Sequence, residues 1–191
     1  MREEAFTDTQ KPFKKRMIMR QCHTPDVFVR KATDSDFTDL STMEQEPPIV
    51  GDVFCDDLFR LMLPSTYVAI KNDDIVGFVI ADTIKKSVLK RVMRGFKYPP
   101  QVPRKGVKLK DVLVVFSIRV RNAHQNQGIG KQLVRHVLSK PHKFVDYETP
   151  FKGKHVIQSC CSDKGYATVL THQDREYAHG TVAHHFCFEC V

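Results

Sequence analysis

A short polar turn with two glycines is the part of this sequence best suited to chemistry. Gln125, Gly128 and Gly130 are spaced as Gln-x-x-Gly-x-Gly, after an apolar run at 112–120 and before a helical pattern at 131–139. A strand, a glycine turn and a helix N-terminus leave backbone N–H groups unpaired in front of the positive end of the helix dipole. Because glycine lets the main chain approach a bulky anion, the turn predicts a diphosphate site.

Two common nucleotide-binding motifs do not fit this turn. The dinucleotide fingerprint needs a third glycine after G-x-G, and none follows Gly130. The Walker loop needs a glycine five residues before Gly130 and a Ser or Thr after Lys131, where Gln132 stands. The diphosphate therefore belongs to another kind of ligand.

The turn resembles the coenzyme A loop of the GNAT acetyltransferase superfamily, whose pattern is Arg/Gln-x-x-Gly-x-Gly/Ala. The resemblance implies that main-chain groups of the preceding strand, at Ile118, Arg119 and Val120, face the thioester and pantetheine where that strand splays. It implies that the coenzyme is held by the residues of the turn and of the first helical turn, namely Gln125, Asn126, Gln127, Gly128, Ile129, Gly130 and Lys131.

The elements that must position this turn can be placed by apolar periodicity and by turn residues. We predict a strand at 27–32, a helix capped by 33–36 and a second helix at 53–63. A hairpin follows, with strands at 67–70 and 75–81 around a turn at 71–74, and then the strand at 111–120 and the helix at 131–139. We predict irregular chain at 142–154, a short strand at 155–158, and a last hairpin of strands 167–171 and 181–191 around a turn at 173–180.

This order resembles the GNAT fold from about residue 27 to residue 191, and three local patterns extend the likeness, at 30–37, at 74–79 and at Lys164-Gly165-Tyr166. The resemblance implies an α/β (α+β) fold, the acyl-CoA N-acyltransferase fold, with a mixed and mostly antiparallel sheet flanked by helices. We expect a domain at 26–191 with a basic insert at about 84–110, preceded by a flexible basic tail at 1–25. The stretch 50–63 resembles the histidine N-acetyltransferase branch.

The resemblance implies transfer of an acetyl group from acetyl-CoA, as co-substrate, to a primary amine of a small molecule or a free amino acid such as histidine. Many family members carry a carboxylate on the fourth strand, but here only Asp111 stands at its start, and Ser117 could only hold a water. The usual acid, a Tyr four residues before the turn, is replaced by Cys161. The predicted proton donors are therefore Cys161, Tyr166 and Tyr177, and the family's asparagine-containing helix before that turn is expected to be missing.

Two other functions stay open. The carboxylate-poor strand and the missing Tyr favour a catalytically weak module that binds coenzyme A or a partner, whereas the intact loop favours an enzyme. A protein N-terminal or lysine acetyltransferase is a further alternative.

Composition limits the partners. The chain has 191 residues and a net charge of +8, and ten basic residues fall in the acid-free stretch 84–110. Such a block suits a polyanionic cofactor, and nucleic-acid binding is not expected because aromatic residues are not interleaved with it. No apolar run reaches the length of a membrane span and no signal peptide is recognisable, so we expect a cytoplasmic protein, with the nucleus as the alternative. The oligomeric state stays open.

The C-terminal histidines and cysteines raise the question of a metal. Cys187 and Cys190 have the C-x-x-C spacing of zinc ligands, and His179, His184 and His185 lie nearby. No second pair lies at a typical distance, and strand alternation puts the two cysteines on opposite faces. We therefore predict no metal.

Overall fold

The computed structural model describes residues 27–46, 56–83, 111–149, 156–176 and 182–190. The strands are β1 (Phe28–Lys31), β2 (Thr66–Lys71), β3 (Asp74–Thr83), β4 (Val112–Val120), β5 (Phe144–Thr149), β6 (Tyr166–Glu176) and β7 (Val182–Cys190). The helices are α1 (Phe37–Gln45), α2 (Asp56–Met62), α3 (Ile129–Val137) and α4 (Val156–Asp163). The predicted tail at 1–25 and the predicted insert at about 84–110 lie outside the described residues.

The strands form a seven-stranded sheet in the order β1-β2-β3-β4-β5-β7-β6. All neighbours are antiparallel except β4 and β5, which are parallel. The predicted mixed, mostly antiparallel sheet flanked by helices is therefore confirmed. In the described parts of the chain, no helix is long and apolar enough to span a membrane.

Apolar side chains on both faces of the sheet build two cores. On one face, α1 and α2 pack on β2 and β3 through residues that include Leu40, Phe59, Phe78 and Ile80. We call this the α1 side. On the other face, α3 and α4 cover β3, β4 and β5, and fully buried Leu133 and Val145 lie at its centre. We call this the α3 side.

The first helix is fixed to the sheet by a buried carboxylate. Asp36 lies just before α1, and its two oxygens accept hydrogen bonds from both terminal nitrogens of Arg30 in β1, at 2.7 and 2.8 Å. The backbone N–H and the hydroxyl of Thr33 also donate to it, at 2.7 and 2.9 Å. Arg30 and the Thr33 amide lower the pKa of Asp36 to about 2, against the effect of burial.

Several predicted boundaries are corrected. The β2–β3 turn has two residues rather than four, because Asn72 and Asp73 both take positive φ, 51° and 66°. Such a pair matches the twist of a hairpin. Helix α3 begins at Ile129, two residues before the predicted start at 131. Strand β6 continues to Glu176, into the predicted turn at 173–180.

The region after α3 was predicted wrongly. The strand β5 occupies Phe144–Thr149, where irregular chain was expected. The helix α4 occupies Val156–Asp163, where a short strand at 155–158 was expected. A helix before the Gly165 turn is therefore present, although it contains no asparagine.

Candidate active site

A β-bulge in β4 opens the sheet at the centre of the candidate site. The register between β3 and β4 shifts between Ile80 and Ala81, so that Phe116 has no residue opposite it. β4 pairs with β5 only as far as Val115, opposite Tyr147. After the bulge, residues 116–120 have no strand on that edge among the described residues. Because a bulge bends and twists its strand, β4 and β5 diverge and leave a gap between them.

Two main-chain amides of β4 point into this gap. The Arg121 N–H donates to the Val76 carbonyl of β3 at 2.9 Å, and successive residues of an antiparallel strand direct their amides to opposite edges. The amides of Ile118 and Val120 therefore face the open edge. Arg119, also predicted to expose its main chain here, turns its main chain toward β3 instead.

The turn after β4 is held by its own side chains. The Gln125 amide nitrogen donates to the Val120 carbonyl at 3.1 Å and to the Asn122 side-chain oxygen at 2.9 Å. Asn126 and Gly128 take φ of 60° and 82°, in the left-handed region that asparagine and glycine tolerate best. Left-handed residues next to a helix start make a concave nest of amides. Gln125 thus supports the turn, and Gly128 shapes it.

Consecutive backbone amides at residues 126–131 have no acceptor among the described residues. The first hydrogen bond of α3 runs from the Gln132 N–H to the Gly128 carbonyl at 3.0 Å. The unpaired first turn of a helix carries a partial positive charge and is a favourable place for phosphate oxygens. The structure therefore brings Asn126, Gln127, Gly128, Ile129, Gly130 and Lys131 together as one row of donors, which we call the amide cradle.

Cations surround the amide cradle. The Lys71 ammonium, at the end of β2, donates to the Gln127 side-chain oxygen at 3.0 Å. On α3, Lys131 and Arg135 share one oxygen of Asp163, at 3.1 and 3.3 Å, and this pairing lowers the pKa of Asp163. Two cations facing one carboxylate leave a net positive charge, which favours a ligand with several phosphates.

A buried carboxylate that was not predicted from the sequence reaches β4 from α1. The Glu44 side chain is only 5% exposed, and its Oε2 accepts from Arg119 Nε at 3.0 Å and from the Ser117 hydroxyl at 3.4 Å. Burial raises the pKa of Glu44, and Arg119 and Ser117 partly offset the rise. The spacing of Phe37, Leu40 and Glu44 puts all three on the buried face of one helix, which is the sequence signal that could have revealed it.

Two arginines of β4 and the turn fasten the end of α1. Arg119 Nη1 donates to the Glu46 carbonyl at 2.9 Å. Arg121 Nη1 pairs with the Glu46 carboxylate at 2.8 Å, while its Nε donates to the Ile75 carbonyl at 2.8 Å. The last turn of α1 is therefore fixed over the α1 side of β4, beside the gap.

Two of the predicted proton donors, Cys161 and Tyr166, belong to the α3-side core. Cys161 is fully buried in the α3-side core, in α4. The Tyr166 hydroxyl donates to the His142 carbonyl at 2.7 Å and accepts from the His142 N–H at 3.2 Å, and burial raises the pKa of Tyr166. Tyr177 lies outside the described residues. The structure thus ties the hydroxyl of Tyr166 into a link between β6 and the chain before β5.

The C-terminal histidines and cysteines are only partly described. His179 lies outside the described residues, and Cys190 is exposed at the end of β7. Within the described residues, no three His, Cys, Asp or Glu side chains are grouped as a metal ion would require.

A diverging pair of parallel strands with an amide cradle at one end suits an acyl carrier. This arrangement is that of an acyltransferase. Residues 28–144 match the model of the Acetyltransferase (GNAT) family. The chain belongs to this family and is an N-acetyltransferase. A search of curated protein sequences finds no match.

Solved structures share the fold at low sequence identity. Diaminobutyrate acetyltransferase EctA from Paenibacillus lautus, in complex with L-2,4-diaminobutyric acid and coenzyme A, superposes with a TM-score of 0.64 at 15% identity, over 86% of this chain and 95% of that one. The ribosomal-protein-S18-alanine N-acetyltransferase from Escherichia coli gives 0.59 at 12% identity, over 86% and 94%. The polyamine N-acetyltransferase from Drosophila melanogaster gives 0.52 at 15% identity, over 86% and 100%.

Proposed function

We propose that this chain transfers the acetyl group of acetyl-CoA to the primary amine of a small molecule. The observation that carries the proposal is the amide cradle at residues 126–131, which lies at the end of the strand whose Ile118 and Val120 amides face the gap. The cradle receives the diphosphate. Pantetheine then extends along the open edge of β4 with its thioester in the gap.

Backbone donors also favour the reaction itself. When an amine attacks the thioester carbonyl, negative charge develops on the carbonyl oxygen. The Val120 or Ile118 amide faces the gap and is free to donate to that oxygen, because neither amide has an acceptor among the described residues. A donor fixed by the sheet needs no rearrangement during the reaction.

The acceptor lies on the α1 side of the gap. Cys161 and Tyr166 lie in the α3-side core, so we propose that both are structural and that neither donates a proton. Among the similar structures are an enzyme bound to a diamino acid, a polyamine N-acetyltransferase and a ribosomal-protein-S18-alanine N-acetyltransferase. A diamino acid appears in the neighbour with the TM-score of 0.64, which supports a small amine. The histidine-like branch stays a prediction.

The test is a direct assay of the complete chain. Purified protein is mixed with acetyl-CoA and with a panel of free amino acids, diamines and peptides with free N-termini, and the release of free thiol is followed. We expect release with a small amine. Release with peptides alone would contradict the small-molecule acceptor, and thermal stabilisation by coenzyme A without any release would favour the catalytically weak module. No stabilisation by coenzyme A would contradict both.

A further inference from the structure

We infer that Glu44 receives the ammonium group of the acceptor and removes its proton, an inference that rests on the proposed function. The fourth strand has no carboxylate within Val112–Val120. Glu44 places one there from α1, because Ser117 and Arg119 hold its Oε2 on either side of Ile118, whose amide faces the gap. The carboxylate thus lies beside the part of β4 along which the thioester is bound.

The β-bulge explains why these groups meet. Ile118 and Val120 pack on the α3-side core, as do Leu113 and Val115 before the bulge. The extra residue at the bulge puts Phe116 and Ser117 both on the α1 side, and Arg119 follows them there. Without the bulge, the alternation of side chains would turn Ser117 and Arg119 away from Glu44.

One oxygen of the Glu44 carboxylate is available to a ligand. The side-chain hydrogen bonds of Glu44 with described residues all go through Oε2, so Oε1 has no partner among them. A carboxylate accepts through two oxygens, and Oε1 is therefore the acceptor for an incoming ammonium. Arg119 is the charged group that faces Glu44 among the described residues, and it keeps Oε2 in place while Oε1 exchanges its proton.

The proton balance of the step is complete. The acceptor ammonium gives one proton to Glu44, and the neutral amine attacks the carbonyl carbon of the thioester, so that a C–N bond forms. The C–S bond then breaks, and the nitrogen passes its second proton to the departing thiolate, which leaves as the free thiol. Glu44 returns its proton to water. The amide, coenzyme A and one proton are the products.

The pH dependence distinguishes this role from a purely structural ion pair. A base works only when deprotonated, and burial raises the pKa of Glu44, so the rate falls as the pH drops through that raised pKa. The Ser117 hydroxyl bonds to the charged carboxylate and lowers its pKa. Ser117→Ala removes this bond and leaves the ion pair with Arg119, so the acidic limb of the rate profile moves to higher pH.

The experiment measures kcat against pH for the wild type, Glu44→Gln, Ser117→Ala and Asp39→Asn, with one acceptor throughout. Asp39→Asn is the matched control, because Asp39 is an acidic residue of the same helix, but its side chain is exposed and makes no hydrogen bond or ion pair among the described residues. A general base contributes about 10²–10⁴-fold, so we expect Glu44→Gln to lower kcat about a hundredfold or more while coenzyme A still stabilises it. Asp39→Asn should keep the wild-type rate and the wild-type acidic limb.

Three results decide the matter. A Glu44→Gln rate close to the wild type overturns the inference, and so does an acidic limb that Ser117→Ala does not move. If Glu44→Gln does not fold, the position of the acidic limb in the pH–rate profile of Ser117→Ala is the deciding result. A wild type that releases no thiol with any amine overturns the proposed function itself, and this result is distinct because it needs no variant.

Discussion

Replacing Asp36 with asparagine tests how firmly the first helix, and with it Glu44, is fixed to the sheet. The pKa of Asp36 falls from 3.8 to about 2 through its bonds to Arg30 and Thr33. A difference of about 1.8 units at 1.36 kcal/mol per unit corresponds to ~2.4 kcal/mol. Because the Arg30 side chain is 38% exposed and water screens the pair, we expect Asp36→Asn to lower the free energy of unfolding by about 1–2 kcal/mol at pH 7.

The same variant has a signature in its pH dependence. A carboxyl with a depressed folded-state pKa contributes stability above its unfolded pKa, about 3.9, and that contribution is lost as the pH falls through the folded value. The difference between wild type and Asp36→Asn should therefore stay constant above about pH 5 and shrink as the pH falls from about 4 toward 2.

Urea unfolding followed by circular dichroism, at several pH values between 3 and 7, measures this difference. Asp34→Asn is the control, because Asp34 is exposed in the same short helical turn and its side chain makes no hydrogen bond among the described residues. We expect the free energy of unfolding of Asp34→Asn to lie within about 0.5 kcal/mol of the wild-type value. An equally small effect of Asp36→Asn at pH 7, or a difference that does not shrink at low pH, would refute the reasoning.

Three further predictions concern the packing behind the site. A Cβ at Gly77 would lie 2.9 Å from the Arg119 carbonyl oxygen, so Gly77→Ala should destabilise the fold by about 1–3 kcal/mol and weaken binding of coenzyme A in a calorimetric titration. At Gly130 the atoms nearest to an added Cβ are 3.8 Å away, so Gly130→Ala should not lower the melting temperature. Tyr166→Phe removes both bonds to His142 and should lower stability by about 1–3 kcal/mol in urea unfolding. The Tyr166→Phe variant should have the same pH–rate profile as the wild type. Loss of the basic limb of that profile would instead identify Tyr166 as the proton donor.

The elements with strong local signals could be predicted from the sequence. The turn before α3 was placed correctly because Gly128 takes a left-handed φ of 82°, a backbone need that few residues meet. The β2–β3 hairpin and α1 followed from β-branched residues on either side of Asn72 and from apolar residues at helical spacing.

The errors have physical causes in tertiary structure. Strand β5 carries the buried Asp146 in its middle, so its sequence does not read as an apolar strand. Helix α4 contains Val156, Ser and Cys, which are weak helix formers, and it is stabilised by burying Ile157, Cys160 and Cys161 at helical spacing. Intrinsic propensity misses such a helix because the core supplies its stability.

The β-bulge and its contact with the Glu44 carboxylate could not be predicted from any single segment of the sequence. Glu44 meets Ser117 across 73 positions of the chain. The fourth strand itself contains no carboxylate, because the group arrives from α1. The sequence does place an acidic residue, Glu44, on the buried face of a predicted helix. That position indicates a buried carboxylate, but it does not show that Ser117 and Arg119 are its partners.

Calorimetric titration with coenzyme A and with pantetheine, which lacks the diphosphate, tests the central claim most directly. The variant carries Gly128→Ala, which strains a left-handed residue, and Gly130→Val, which adds a branched side chain in the first turn of α3. Bonds from amides to a charged group contribute about 1.5–3 kcal/mol each, so we predict at least about tenfold weaker binding of coenzyme A and no change for pantetheine. Coenzyme A that binds a folded variant as tightly as the wild type would contradict the claim that these amides hold the diphosphate.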